Sequence, residues 1–270
     1  MQHHSFPFTI ENTKSVVNWA FEKPNVLIVF VHGFGGSAVK TWNEFPGTLN
    51  QHLEFRKCDF VFWEYDSLFA QANASAGLFM QFLDKMIEHP DWYQDGGDRV
   101  TFSRTTNFRY DRVIVVAHSL GSIVVRRALL NAYFTGKTWL ERVETILFAP
   151  AHHGALVANL ILESLTGNFR FASVAARFVS PVIDDLKPGS QVLIDIENET
   201  ASLLEAGQGN FTISKCVIWA QKDRVVLMRR FGQDAIAEVV PGHSHTSVCK
   251  PKLLAGYTRP VEVLIRVLNS

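Results

Sequence analysis

Residues 113–130 read VIVVAHSLGSIVVRRALL, and in this stretch a single serine separates two different apolar patterns. The first five residues are continuously apolar, as in a strand buried on both faces, whereas the residues after Ser119 have helical spacing. A strand that turns this sharply into a helix forces the residue between them into an unfavourable backbone conformation, which small flanking residues make tolerable. Ala117 and Gly121 are these small residues. The stretch predicts that Ser119 is an exposed nucleophile at a helix N-terminus; a serine that merely caps the helix is the alternative.

The segments around this stretch repeat its order of strand and helix. Short apolar runs, most of them continuous rather than alternating, are separated by longer segments with helical spacing. This alternation of strand and helix predicts an α/β fold with a mostly parallel central sheet flanked by helices on both faces. The predicted strands are 15–22, 26–33, 59–65, 113–119, 143–149, 215–220 and 235–240.

Two local patterns add detail to this outline. Only the tripeptide KPN (23–25) separates the first two predicted strands, which predicts that they form an antiparallel hairpin. Residues 71–88 have the spacing of an amphipathic helix. Its predicted apolar face comprises Leu78, Phe82, Leu83 and Met86.

The sequence predicts one domain, residues 1–270, that contains one insertion. Residues 152–210 show no strand pattern, only helix-like apolar segments and the Pro- and Gly-punctuated stretch SPVIDDLKPGS (180–190). A structureless loop of this length is unusual inside a compact domain, so we predict that residues 152–210 form a helical cap over a site. The Phe-rich parts of this cap either form its own core or also line a pocket for an acyl chain. Pro260 is predicted to open the last helix of the chain.

Composition excludes some classes of function. Lys and Arg together number 26, as do Asp and Glu, so the formal net charge is zero and no nucleic-acid partner is expected. The three cysteines have no CxxC spacing and fit reduced thiols in the cytoplasm. The N-terminal residues do not resemble a secretion signal, and no apolar run has the length of a membrane span, so we expect a soluble, cytoplasmic protein. The sequence leaves its oligomeric state open.

The glycine-rich segment FVHGFGGSAVKTW (30–42) follows a predicted strand. Acyl transfer needs two N–H donors aimed at the oxyanion of the tetrahedral intermediate, and glycine lets a backbone approach that position closely. We predict that the N–H groups of Phe34 and Leu120 are these donors, and that His32 holds the loop in shape. A flexible turn or a phosphate-binding loop is the alternative, although the segment contains neither GxGxxG nor GK[ST].

A serine nucleophile needs a base, and the base needs an acid that orients it. His243 and His245 follow the last predicted strand, and Asp223 follows the strand before it, so all three belong to the edge of the sheet where Ser119 lies. Asp223 as a simple turn residue is the alternative; Asp184, Asp185 and Asp195 are poorer candidates for the acid, because they lie in the insertion. His243, His245 and Cys249 also suggest a metal site, but no further ligand completes it, so no metal is expected.

Four motifs resemble the α/β-hydrolase superfamily. VHGFGGS (31–37) resembles its oxyanion loop, AHSLGS (117–122) its nucleophile elbow, and FAPAHHGA (148–155) a segment of its lipases. SHTSVCKP (244–251) looks like the histidine loop of its serine-esterase and lipase-like branch, which is related to GPI inositol-deacylases and serine-active-site proteins. In that branch the catalytic histidine stands four residues before Cys and five before Lys, which is the position of His245. The likeness spans about 26–150 and 212–255.

The resemblance implies a serine hydrolase of carboxylic esters, acting on a small-molecule or lipid ester through an acyl-enzyme at Ser119. It implies a catalytic triad of Ser119, Asp223 and His245 and requires no cofactor. Peripheral contact with a membrane through the cap is left open. The alternatives are a catalytically inactive binding module with this fold, and an acyltransferase or thioesterase that uses the same residues.

Overall fold

A computed structural model describes residues 2–3, 8–9, 14–89, 108–165 and 180–270. Its centre is one eight-stranded sheet in the order β1-β2-β4-β3-β5-β6-β7-β8. The strands β3 to β8 pair in parallel with one another, whereas β2 is antiparallel to both of its neighbours, β1 and β4. The strands are β1 Phe8–Thr9, β2 Val16–Asn18, β3 Val26–Val31, β4 Cys58–Trp63, β5 Arg112–His118, β6 Val143–Phe148, β7 Cys216–Ala220 and β8 Glu238–Val240. The predicted α/β class and the mostly parallel sheet are confirmed.

The predicted hairpin of the first two apolar runs is wrong. β4 lies between β2 and β3, and β2 pairs antiparallel with it, Val16 opposite Phe62 and Val17 opposite Val61. The reason is that both edges of β3 are occupied, because β3 pairs in parallel with β4 on one side and with β5 on the other. A short connection limits how far apart two strands lie, but it does not make them hydrogen-bonding neighbours.

Helices flank this sheet, and the helix Leu120–Phe134 packs against β3 and β5. The second α-helix matches the helix predicted for 71–88, but Leu78 is 57% exposed, so the predicted apolar face is wrong at this residue. Phe79 is buried in its place, because consecutive residues of a helix lie about 100° apart around its axis. The helices are α1 Phe45–Thr48, α2 Ala72–Glu88, α3 Leu120–Phe134, α4 Val157–Leu165, α5 Val182–Leu186, α6 Gln191–Glu205 and α7 Arg259–Leu268. Pro260 lies in the first turn of α7, as predicted.

α3 is buried on almost every side, because it packs against the sheet, α2 and α6. Even its Arg126 is buried, where it forms an ion pair with Asp234, donates to the Thr212 carbonyl oxygen at 2.9 Å and lies over the Phe231 ring. A buried charge needs such partners, since an unpaired one would destabilise the fold. This network ties α3 to the chain segments on either side of β7.

The described residues of the predicted cap segment, 152–165 and 180–210, contain three helices with different surroundings. α6 packs against α3 with its apolar face buried, so it is the helix that connects the parallel strands β6 and β7. α4 and α5 precede it, and residues 166–179, which include part of the Phe-rich sequence, lie outside the described residues. That residues 152–210 cover the site as a cap stays a prediction. In the described part of the chain, no helix combines the length and apolar character that crossing a bilayer requires.

Candidate active site

Ser119 is the one residue between β5 and α3. Its backbone has φ 53° and ψ −121°, a region that residues other than glycine rarely adopt and that costs on the order of 1–3 kcal/mol. Its side chain makes no capping hydrogen bond to α3, so helix capping does not explain the residue. A Cβ at Gly121 would lie 2.5 Å from the Val31 carbonyl oxygen, so only glycine lets α3 begin this close to β3. The elbow therefore depends on contact with a neighbouring strand as well as on local spacing.

The Ser119 hydroxyl points at an imidazole from the other end of the chain. Ser119 Oγ lies 2.8 Å from His245 Nε2, and His245 Nδ1 lies 2.9 Å from Asp223 Oδ2. Each of these side chains is buried. The predicted exposure of Ser119 is therefore wrong, because His245 and the glycine-rich loop pack against it. With Nδ1–H donating to the carboxylate, Nε2 is free to accept the hydroxyl proton. The three residues form a hydrogen-bonded row at the carboxyl edge of the parallel strands.

Both carboxylate oxygens of Asp223 are used. Oδ2 accepts from His245, and Oδ1 accepts the backbone N–H groups of Val225 at 2.9 Å and Val226 at 3.2 Å. Burial alone favours the neutral acid, but the bond with His245 and these two N–H donors outweigh it and lower the pKa of Asp223. Asp223 is therefore a turn residue and an ionised partner of the imidazole at once.

The glycine-rich loop after β3 lies against Ser119. A Cβ at Gly33 would lie 2.8 Å from the Ser119 Cβ, so glycine permits this approach. His32 holds the loop in shape, since its Nδ1 bonds the Gly33 carbonyl oxygen at 2.9 Å and its ring stacks on Tyr65. Within the described residues, neither the Phe34 N–H nor the Leu120 N–H donates to a protein acceptor. Both N–H groups are therefore without a protein acceptor in this part of the chain, and their role as oxyanion donors stays a prediction.

Solved structures match this architecture over nearly the whole chain. The mature form of the lipase BlEst2 from Bacillus licheniformis is 15% identical over 93% of this chain and 97% of its own, with a TM-score of 0.55. MGS-MChE2, an α/β hydrolase enzyme from a sediment metagenome of the Mar Chica lagoon in Morocco, is 13% identical over 97% of this chain and 99% of its own, with a TM-score of 0.51. The chain has the α/β-hydrolase fold.

Phospholipase PlaB from Legionella pneumophila shares this fold, at 18% identity over 91% of the present chain and a TM-score of 0.62. The match covers 60% of PlaB, so the chain spans less than two thirds of that protein. No protein-family model matches the sequence, and no curated protein matches it. At these identities the likeness establishes the α/β-hydrolase fold alone.

The remaining sequence candidates take no part in the row of Ser119, His245 and Asp223. His243 stacks on Tyr257 at a centroid distance of 3.7 Å and takes no part in the row. Asp185 accepts the N–H of Ala72 at the start of α2, at 2.8 Å. Asp184 and Asp195 bond side chains of their own helical segments, Lys187 and Gln191 respectively.

No group of three or more His, Cys, Asp or Glu side chains in the described residues is arranged to hold a metal ion. The candidate set of His243, His245 and Cys249 is not assembled, because His245 is engaged by Ser119 and Asp223, and the Cys249 thiol lies against the Thr41 carbonyl oxygen.

Ser122 is a residue of this site that sequence reasoning missed. Its hydroxyl donates to the Ser119 carbonyl oxygen at 2.6 Å and accepts the Ala151 N–H at 3.1 Å. Ser119 is also tied by its own N–H, which donates to the Phe148 carbonyl oxygen at 3.1 Å. The sequence shows a hydroxyl in the first turn of the helix, but only the structure identifies its partner, Ala151, which follows β6.

Proposed function

We propose that the protein is a serine hydrolase that cleaves carboxylic esters through an acyl-enzyme at Ser119. The observation that carries this proposal is the row from hydroxyl to imidazole to carboxylate, with separations of 2.8 and 2.9 Å. A buried imidazole held between a serine and an ionised carboxylate is the arrangement that activates a serine for acyl transfer. The α/β-hydrolase fold supports the same assignment by analogy.

In the proposed reaction His245 accepts the Ser119 proton as the hydroxyl attacks the ester carbonyl. Asp223 keeps the imidazole in the required tautomer and stabilises its positive charge. The N–H groups of Phe34 and Leu120 bind the oxyanion, and Leu120 does so at the positive end of α3. His245 then protonates the leaving alcohol, and a water molecule hydrolyses the acyl-enzyme by the same route. No cofactor takes part in these steps.

We further propose a small-molecule or lipid ester as substrate. Two segments beside Asp223 are joined by a hydrogen bond from the Leu156 N–H to the Val225 carbonyl oxygen, at 2.7 Å. These segments and the start of the cap carry exposed apolar side chains, which suit an acyl chain or peripheral contact with a membrane. The exposed residues are Leu156, Leu162, Leu227 and Met228. Two of the proteins with a similar structure, the lipase BlEst2 and the phospholipase PlaB, agree with this class of substrate.

We also propose that residues 1–270 form one domain, with the cap inserted at 152–210. Because α6 packs on α3 as part of the main body, the covering role falls to the part of the insertion ahead of α6. The three cysteines are free and buried, which supports the cytoplasmic, reducing location that we propose.

A fluorophosphonate probe tests the proposal directly. The wild-type protein is expected to be labelled at Ser119, Ser119→Ala not at all, and His245→Gln far more slowly. His243→Gln is the matched control, because this neighbouring histidine stacks on Tyr257 outside the row, and it is expected to be labelled at nearly the wild-type rate. Wild-type protein that stays unlabelled would favour the inactive binding module.

Product analysis separates the remaining alternatives. Hydrolysis of p-nitrophenyl esters of graded chain length is expected to release free acid, and a preference for long acyl groups would indicate a lipase. A new ester that forms when an alcohol acceptor is added would indicate an acyltransferase, and faster cleavage of matched thioesters a thioesterase.

A further inference from the structure

His118 is the last residue of β5 and directly precedes Ser119 in the chain. Its side chain is buried, and its Nε2 lies 2.9 Å from the backbone carbonyl oxygen of His245. A carbonyl oxygen only accepts hydrogen bonds, so Nε2 carries the proton and donates it. The residue beside the proposed nucleophile is thus bonded to the main chain of the proposed base, 127 residues further along the chain.

The same imidazole contacts the glycine-rich loop. The His118 and His245 rings pack with centroids 5.0 Å apart. A Cβ at Gly33 would lie 3.1 Å from His118 Nδ1. His118 is therefore joined to Ser119 by a peptide bond, to the histidine loop by a hydrogen bond and to the glycine-rich loop by packing.

The bond to the His245 carbonyl differs from the other bonds of His245 in one chemical respect. Once Ser119 is acylated, its oxygen carries no proton and cannot donate to His245 Nε2. The bond from His118 involves only the main chain of His245, so the reaction leaves it intact. It is suited to hold the imidazole in place while the contact with Ser119 is broken and remade.

The donor is also insensitive to the working pH. Nδ1 of His118 is buried and accepts no hydrogen bond within the described residues, so a second proton would have no partner there. Burial, with a smaller contribution from the neighbouring His245, lowers the pKa of His118 to about 3. The nearby charges of Lys250 and Asp223 have opposite effects on this pKa. His118 is therefore a neutral imidazole with a fixed tautomer at neutral pH.

We propose that His118 is a positioning residue, which sets the place of the His245 imidazole relative to Ser119 Oγ through its hydrogen bond to the His245 carbonyl. The role in turnover rests on the proposed function above, whereas the geometric role does not. The His118 imidazole acts as a neutral group whose Nε2–H is a permanent hydrogen-bond donor.

Two substitutions and a matched control test this role. His118→Phe keeps a ring but removes the donor, and His118→Gln places an amide N–H close to the position of Nε2. His3→Phe is the control, because His3 is also a buried histidine, with Nε2 2.9 Å from the Cys58 carbonyl oxygen. Cys58 begins β4, at the opposite edge of the sheet from Ser119. His3→Phe therefore reports the cost of losing such a bond away from the site.

The first measurement is kcat and KM for a pair of esters with the same acyl group. One ester has an alkyl alcohol, which needs a proton from His245 to leave, and the other releases p-nitrophenolate, which does not. His118→Phe is expected to lower kcat for the alkyl ester on the order of 100-fold, and that for the p-nitrophenyl ester less, with KM nearly unchanged. His118→Gln is expected to recover most of the loss, and His3→Phe to leave both kcat values near the wild type. A variant that is merely less folded would lower both rates by the same factor.

The second measurement does not require turnover. The proton shared by His245 Nδ1 and Asp223 is expected to give a low-field proton NMR resonance, assigned by its absence from His245→Gln. This resonance should shift or broaden in His118→Phe and stay in His118→Gln and His3→Phe. If the wild type hydrolyses no ester but the resonance follows this pattern, the proposed function fails and the positioning role stands. A resonance and a ratio of alkyl to p-nitrophenyl rates that are unchanged in folded His118→Phe would overturn the role.

Discussion

At the scale of single residues, the chemistry of the site depends on which hydrogen-bond partners each polar atom has. Asp223 divides its carboxylate between the backbone N–H groups of Val225 and Val226 and the imidazole of His245. The first pair of bonds holds the turn, and the last orients the proposed base. Folding and the proposed catalysis therefore make separate demands on the same side chain.

Asp223→Asn separates these two demands. The amide oxygen can still accept from Val225 and Val226, so the fold should persist, but the amide cannot stabilise a charged imidazole. We expect turnover to fall on the order of 10⁴-fold. Steady-state kinetics, with circular dichroism to verify folding, measures this.

The matched control is Asp185→Asn, since Asp185 accepts the Ala72 N–H at the start of α2 instead of binding an imidazole. Its kcat should stay close to that of the wild type. Nearly full activity in Asp223→Asn would place the acid elsewhere.

At the scale of elements, the elbow exists because α3 begins in contact with β3. An added Cβ at Gly121 would lie 2.5 Å from the carbonyl oxygen of Val31 and 2.6 Å from that of His32. Neither oxygen can move freely, because both belong to main chain at the end of a buried strand. The glycine that the sequence pattern demands is thus explained by the packing of helix against strand.

Gly121→Ala is expected to lower the free energy of unfolding by about 3 kcal/mol, because the helix must shift away from the strand. Gly77→Ala is the matched control: Gly77 lies inside α2, and an added Cβ there meets nothing within 4 Å. This control should raise stability by about 0.5–1 kcal/mol, since alanine is the better helix former. Urea denaturation followed by fluorescence measures both; equal effects at the two sites would contradict the packing explanation.

At the scale of the whole molecule, His3, His118 and His152 are among the buried histidines that the structure describes, and they lie in different regions as neutral side chains. His3 bonds the start of β4, His118 lies beneath the site, and His152 donates to the Arg229 carbonyl oxygen at 3.1 Å. Burial lowers the pKa of each of them. In the unfolded chain the same imidazoles take up protons as the pH falls below about 6.5. Acid therefore favours the unfolded state at all three positions.

Stability should consequently be full above pH 6.5 and decline as the pH falls toward the folded-state values. For His118, with a folded pKa of about 3, the decline amounts to about 2 kcal/mol by pH 5. Denaturant midpoints at pH 7.5, 6 and 5 should show this loss in the wild type. In His118→Gln the decline should be smaller by about this amount. The same decline in both proteins would mean that His118 is not buried as a neutral group.

The sequence by itself determined the class of fold, the position of nearly every strand and the strained serine between β5 and α3. These features are local, because a run of apolar residues, a change of spacing and two small residues within a few positions specify them. His243 and His245, by contrast, stand two residues apart in the same loop, and only a resemblance to known proteins favoured one of them.

Only the tertiary structure decided which segments are neighbours. β4 separates β2 from β3, α6 joins the main body, Ser122 bonds Ala151, and His118 bonds the loop of His245. Each of these contacts joins residues that are far apart in the chain, so no periodic pattern in the sequence indicates it. The choice among partners is made by competition for buried area and for hydrogen-bonding edges across the whole chain, so no short stretch of sequence contains it.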